Sequence, residues 1–358
     1  MGSDFLIIGG GIAGISAAAR LSELGSVTLL EQEAVLAHHA SSRSAALYEP
    51  HYGKPAVVEL SLASGEFYRG GEGLLSPRGL LLVSAAADEA VARDEAAAMA
   101  LDPITPDEAR GLVPILNDTV TFAAFGAHAW DIDTDLLIQT FLRRARSRGA
   151  TVETGAGVRA LARDSGGWTA TTPKGAFSGR ILVNAAGPWV DRVAALAGLA
   201  PIGFTPFRRS MARIPAPGGL DVSRWPMIFG ADESWYAKPD AGALIVSPAE
   251  EDPAEPHDAW ADDMVLAEGL ARYEEMVREP VSRVLANWAG LRTFSPDRVP
   301  VIGFAPGHTD FFWLGGQGGY GFQTAPAASR LIADLIGGRP PEIDPALVAA
   351  LSPSRFAG

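Results

Sequence analysis

With 358 residues, 47% of them hydrophobic and 20% charged, the chain is long enough for two domains and has an ordinary globular balance able to bury a large core. Its net charge of −13 disfavours nucleic acid and anionic membranes as partners. The absence of cysteine excludes disulfides, cysteine-held metals and any group tethered through sulfur, and it fits a reducing compartment.

The first apolar run follows Asp4 instead of a basic segment and is too short to span a bilayer, so neither a signal peptide nor an integral membrane segment is expected. Met1-Gly2 resembles a myristoylation start, but Leu6 stands where Ser or Thr is wanted. The expected location is the cytoplasm.

Phe5-Leu6-Ile7-Ile8 reads as a buried parallel strand. Gly9-x-Gly11-x-x-Gly14 then opens an Ala-rich helix predicted to run to about residue 24. Gly9 permits the tight turn, Gly11 lets a pyrophosphate approach the backbone, and Gly14 lets helix and strand pack closely. The helix start supplies free N–H groups and partial positive charge to phosphates. A second strand, Val27-Thr28-Leu29-Leu30, ends on Glu31, 22 residues after Gly9, where a ribose-binding carboxylate belongs. Strand, glycines, helix, strand and acid in that order predict an α/β dinucleotide site.

His38-His39 precede the small, hydroxyl-rich stretch Ala40-Ser41-Ser42-Arg43-Ser44-Ala45-Ala46, whose composition suits a loop facing phosphates. The two histidines suggest a metal, but no third ligand is spaced to join them, so they are read as loop surface and no metal site is expected. Helices are predicted at 56–70 and 87–100, with a strand at 80–83 between them. Asp131-Ile132-Asp133-Thr134-Asp135 fails the calcium-loop pattern and is read as capping a helix at 135–148. Strands are predicted at 151–153, 168–172 and 180–187, and a helix at 189–197. Further strands at 208–214, 235–238 and 243–246 and a helix at 262–278 follow. The C-terminal part repeats the opening theme: strand Phe311-Phe312-Trp313-Leu314, the glycine loop 315–321, and a helix at 324–336.

These pieces together resemble the FAD-dependent amine and amino-acid oxidoreductases, the D-amino-acid oxidase-like family, and within it the D-arginine dehydrogenases most. The matching stretches cover nearly the whole chain: 7–14, 42–46, 75–78, 131–135, 183–187, 208–210, 232–236, 238–242, 288–292 and 317–321. The resemblance implies an α/β fold with a Rossmann-like FAD-binding domain assembled from 1–76, 131–204 and 295–358. An α+β substrate-binding domain, 77–130 and 205–294, would be inserted in it. It implies non-covalent FAD held by Gly9, Gly11, Ile12, Ala13, Gly14, Glu31 and Gln32, by Ser42, Arg43, Ser44, Ala45 and Ala46, and by Val158 near the adenine. Ala186, Gly187, Trp189, Gly290 and Arg292 would add contacts, and Gly316, Gln317, Gly318, Gly319, Tyr320, Gly321 and Phe322 would lie by the flavin ring.

By the same resemblance, Arg292 and Arg209 would hold a substrate carboxylate, Tyr52 and Tyr236 would add hydroxyls, and the Gly319 carbonyl would take the amine. A guanidinium suits this task because its planar fork pairs two oxygens at once. Two departures matter: Leu47 stands where D-arginine dehydrogenase has His, and Leu80 stands where it has the Glu that meets the guanidinium of D-arginine. The side-chain pocket, Leu47, Glu49 and Leu80, is therefore expected to favour apolar or neutral groups, with Glu49 as a new acid of undecided direction. The expected activity is oxidation of the Cα–N bond of D-amino acids to imino acids, which hydrolyse to a 2-oxo acid and ammonia, with no strong base required if the site favours the free amine. The alternatives are N-methyl or secondary amino acids, 2-hydroxy acids, and a flavin subunit of an electron-transfer complex. The electron acceptor is left open.

Overall fold

The computed structural model describes residues 2–357. Strand β1 (Ser3–Ile8) is buried from Phe5 to Ile8, which is why it reads as an unbroken apolar run instead of an alternating one. It lies parallel between β2 (Val27–Leu30) and strand Gly175–Asn184. Thr151–Glu153 extends the parallel array beyond β2, and Phe311–Gly315 extends it beyond Gly175–Asn184. The outer half of Gly175–Asn184 turns back in an antiparallel ladder with Gly167–Thr172 and Ala160–Asp164. Three helices cover this sheet: α1 (Ile12–Leu21), Thr134–Ser147 and Gly321–Gly337. Their Ile15, Phe141 and Leu331 pack with Phe5, Ile7 and Phe312 in one core. The opening helix ends at Leu21, three residues short of its predicted end, because the chain turns there to enter β2.

A second sheet of nine strands is mixed. Its long edge pair is Thr205–Pro215 against Ala286–Phe294, antiparallel over nine register positions. Ala243–Ser247, Tyr236–Asp240, Met227–Gly230, Leu80–Ser84 and Phe122–Gly126 continue it. Trp235 and Tyr273, fully buried, anchor its own core with Leu81, Val83 and Val246. A small third sheet, Leu47–Tyr48, Trp130–Ile132 and Leu75–Pro77, sits between the two. Asp133 caps the helix Thr134–Ser147 by accepting the Leu136 amide at 2.8 Å, as a capping reading of that acidic run requires. Among the described residues, no helix is long and apolar enough to cross a membrane.

Candidate functional site

The β1–α1 turn is tight. Gly9 takes φ +109°, a conformation that side chains resist. A Cβ on Gly14 would lie 1.9 Å from the Gly9 carbonyl oxygen. Gly14 is thus needed for packing and stays off the cavity wall, whereas Gly9, Gly10, Gly11, Ile12 and Ala13 form it. The start of α1 has no side-chain cap of its own, and Ser41 from the next loop accepts the Ile12 amide at 3.0 Å. Glu31 is buried and folds back, accepting the Gly10 amide at 2.6 Å and the Glu33 amide at 2.8 Å. Its carboxylate is fixed at the cavity edge with lone pairs to offer a ribose.

From this turn a cavity of about 510 Å³ runs past Gln32, Ala156 and Val158 on one side and Ala186, Gly187 and Trp189 on the other. Its opposite end meets Arg209, Gly290, Arg292, Gln317, Gly318 and Gly319, then Gly321 and Phe322 at the start of the last long helix. Two buried groups on this wall, Gln317 Nε2 and Thr293 Oγ1, lack a protein partner. An elongated cavity with a glycine turn, two helix starts and orphaned polar groups is suited to a dinucleotide.

Besides Gly14, four expected cofactor residues lie off this wall. Ser42 turns its hydroxyl to the His38 and His39 carbonyls, at 2.8 and 3.2 Å. Gly316, at φ +74°, packs on Phe204, and the Tyr320 ring lies tilted against Tyr52, centroids 5.4 Å apart. Ala46 faces a second, smaller cavity. Arg43 lines the large cavity, but its guanidinium is engaged by the carbonyls of Ala259 (2.8 Å) and Ala289 (3.0 Å) and by Asp258, so it braces the loop instead of offering a free cation to phosphates.

The histidine pair also needs correction. His38 Nε2 lies 3.2 Å from Asp258 Oδ2, and His39 Nδ1 lies 3.7 Å from Oδ1. Spacing along the chain did not display this third group, because chain folding brings it from 220 residues away. Arg43 forms an ion pair with the same carboxylate, so Asp258 joins the two histidines to a cation that is already engaged.

The smaller cavity, about 60 Å³, shares Ser44, Ala45, Arg209, Arg292 and Gly319 with the large one. Strand register explains the two arginines. Arg209 faces Gly290 and Phe207 faces Arg292, so both guanidiniums project from one face, two positions apart on adjacent strands. Among the described residues, no acidic side chain forms an ion pair with Arg292, and Arg209 is held only by Glu251 at 3.3 Å, with its Nε unpartnered. Burial and the neighbouring Arg292 both push the Arg209 guanidinium below its ordinary value, against Tyr236, Tyr52 and Glu233, which raise it. The Tyr236 hydroxyl is buried and unpartnered on the same wall. Tyr52 lines it too, its phenol raised well above the usual range by burial. Gly319 carries no Cβ because one would press on the Arg292 guanidinium at 3.1 Å.

The remaining wall is Leu47, Glu49, Met227, Phe229, Glu233, Trp235 and Gln323. Leu80, expected there, is fully buried and absent from the surface of the cavity. Its register partner Met227, on the adjoining strand, takes that wall. Glu49 is 2% exposed, so it does not face solvent. A half-buried cation ties the loop to the second sheet: Lys238 Nζ donates to the Ala45 and Ala46 carbonyls, each at 2.8 Å, and lies 2.8 Å from Asp131 Oδ1. Lys238→Met should cost about 3 kcal/mol by leaving these acceptors unpaired. Thermal unfolding checks it, and an unchanged midpoint would show that the loop holds itself.

Comparison with known proteins adds three findings. The family model described as FAD dependent oxidoreductase, abbreviated DAO, matches residues 4–335. The bifunctional protein ThiO/ThiG of Synechocystis sp. is 26% identical over 99% of this chain, which spans 54% of that protein, and glycine oxidase of Pseudomonas aeruginosa is 52% identical over 63 residues, 17% of each chain. The glycine oxidase structure from Geobacillus kaustophilus superposes with a TM-score of 0.83 at 22% identity, covering 98% of both chains, and so shares the fold.

Proposed function

The chain belongs to the DAO family of FAD-dependent oxidoreductases, and from that premise we propose that it oxidises the Cα–N bond of D-amino acids with neutral, apolar side chains. The observation that carries this reading is Arg292, a cation that forms no ion pair among the described residues, on the wall between a dinucleotide cavity and a small substrate-sized one. Arg292 and Arg209 would clamp the substrate carboxylate, with Tyr236 and Tyr52 adding hydroxyl hydrogen bonds. The Gly319 carbonyl would accept from the amine and so aim Cα at the shared wall. FAD, when bound in the large cavity, supplies the hydride acceptor; the protein supplies aim, charge and dryness. The first sheet with its helices would be the FAD-binding domain, and the nine-stranded sheet the substrate domain. Members of this family use FAD, and the absence of cysteine supports non-covalent binding here. Acid precipitation should therefore release yellow FAD into the supernatant; a colourless supernatant over a yellow pellet would indicate a covalent link.

Side-chain preference follows from the wall. Leu47, Met227, Phe229 and Trp235 favour an apolar group by about 0.8 kcal/mol per buried methylene. Against these four side chains a cationic group would lose its water without gaining a partner. D-Leu and D-Met should exceed D-Arg and D-Lys in kcat/KM. Faster flavin reduction by D-Arg than by every neutral D-amino acid, at equal subsaturating concentration, would overturn this preference. A second reading, glycine or N-methylated glycine as substrate, is favoured by the small size of the cavity and by the similarity to glycine oxidase over 63 residues. The same panel separates the two.

A further inference from the structure

Glu49 is an acid that the carboxylate clamp does not use. It follows the short strand Leu47–Tyr48 and is placed on the small-cavity wall with Arg209, Arg292 and Gly319. Its Oε1 accepts the His51 amide at 3.1 Å and lies 3.1 Å from His128 Nε2. Its Oε2, 3.0 Å from the same nitrogen, has no hydrogen-bond partner. His128 belongs to the turn before strand Trp130–Ile132, and its side chain is 32% exposed whereas that of Glu49 is 3% exposed. The pair therefore reaches from the cavity wall to solvent.

We propose that Glu49 and His128 form a proton relay that takes one proton from the substrate ammonium group and passes it to solvent. This rests on the amino-acid reading above. Hydride can leave Cα only when the nitrogen lone pair is free, so an ammonium substrate must first lose a proton. The ammonium gives that proton to the Glu49 carboxylate, leaving neutral amine and carboxylic acid. Glu49 then protonates His128 Nε2, and the imidazolium releases a proton to water, restoring both groups. No oxidant or reductant enters these steps. Glu49 would act on the substrate directly, and His128 would act through Glu49.

The surroundings tune the pair to neutral pH. Burial pushes the Glu49 carboxyl up to about 7, against the pull of the His51 amide and the His51 ring. Burial lowers His128, against the Met99 backbone and Asp102, which raise it. The His51 ring meets the His128 ring edge-on at 5.3 Å, and the Glu49 amide donates to Gln323 Oε1 at 3.2 Å. Arg209, Arg292 and Glu233 are the other charges on the cavity. An acceptor poised near 7 is suited to proton transfer at neutral pH.

The test is the rate of anaerobic flavin reduction from pH 5 to pH 10, by stopped flow, for the FAD-loaded enzyme with glycine and D-Leu. The wild-type rate should rise along a limb near pH 7. In Glu49→Gln that limb should move toward the ammonium group's own alkaline value, slowing the reaction about 10²-fold at pH 7, with the deficit closing as pH rises. Glu49→Asp should restore much of the neutral-pH rate, and His128→Asn should displace the limb. NMR titration of the His128 ring, without substrate, gives a second reading: Glu49→Gln should lower its midpoint by about one unit. A Glu49→Gln profile superimposed on the wild type, or slowed equally at every pH, would overturn the relay while leaving the amino-acid reading intact. So would an unmoved His128 midpoint. Failure of every amino acid to bleach the wild-type flavin would overturn the functional reading and the relay together.

Discussion

Replacing Arg292 with methionine should leave FAD content intact and weaken substrate capture by about 2–5 kcal/mol, the scale for removing one partner of a buried charge pair. That corresponds to roughly thirty- to several-thousandfold in kcat/KM. Stability should not fall with activity. Among the described residues Arg292 makes no ion pair for its loss to break, and Arg209 loses the neighbour that pushes it below its ordinary value. The combination of an unchanged unfolding midpoint, an unchanged flavin spectrum and a collapsed kcat/KM is specific to a ligand-facing cation. A structural arginine would lower the midpoint instead. Unchanged kinetics would place the residue outside the substrate cavity.

The second large effect is on the cofactor. In Gly14→Ala the new methyl would stand 1.9 Å from the Gly9 carbonyl oxygen. Neither partner can swing away, because the oxygen is backbone and Gly9 is fixed at φ +109° by the turn. The strand–helix junction must open, at a cost at or above about 3 kcal/mol. The start of α1 then leaves the cavity wall. The variant should purify with little or no FAD, read from the ratio of visible to ultraviolet absorbance, and should regain little on added FAD. Gly11→Ala makes the comparison, since its Cβ would meet only the Ser41 hydroxyl at 3.2 Å and no backbone atom. A fully loaded Gly14→Ala enzyme would mean that the turn has slack the geometry denies.

These two predictions mark what was legible in the amino-acid order. The β1–α1 turn was, because its constraints are local: a buried strand gives four apolar residues in a row, and a turn of that tightness admits only glycine at set positions. The capping acid Asp133 was legible for the same reason. What local pattern did not display are pairings made by chain closure. Asp131 looked like a capping acid and instead pairs with Arg78 and Lys238. Asp258 reaches His38 from across the fold, and His128 reaches Glu49 over 79 residues. Leu80 was expected on the cavity by the resemblance to D-arginine dehydrogenase, yet one strand of offset gives that wall to Met227. Arg209 and Arg292 share a wall through antiparallel register, which no local pattern displays, so their pairing came from resemblance alone.

The most direct test of the central claim is anaerobic mixing of the FAD-loaded protein with D-amino acids, their L-enantiomers, glycine and N-methylglycine, followed at the flavin's visible band. The flavin should bleach, fastest with neutral apolar D-amino acids and slowly with D-Arg, and should stay oxidised at the same concentrations in Arg292→Met. A flavin that stays oxidised with every amino acid, in a protein that dithionite still bleaches, would contradict it.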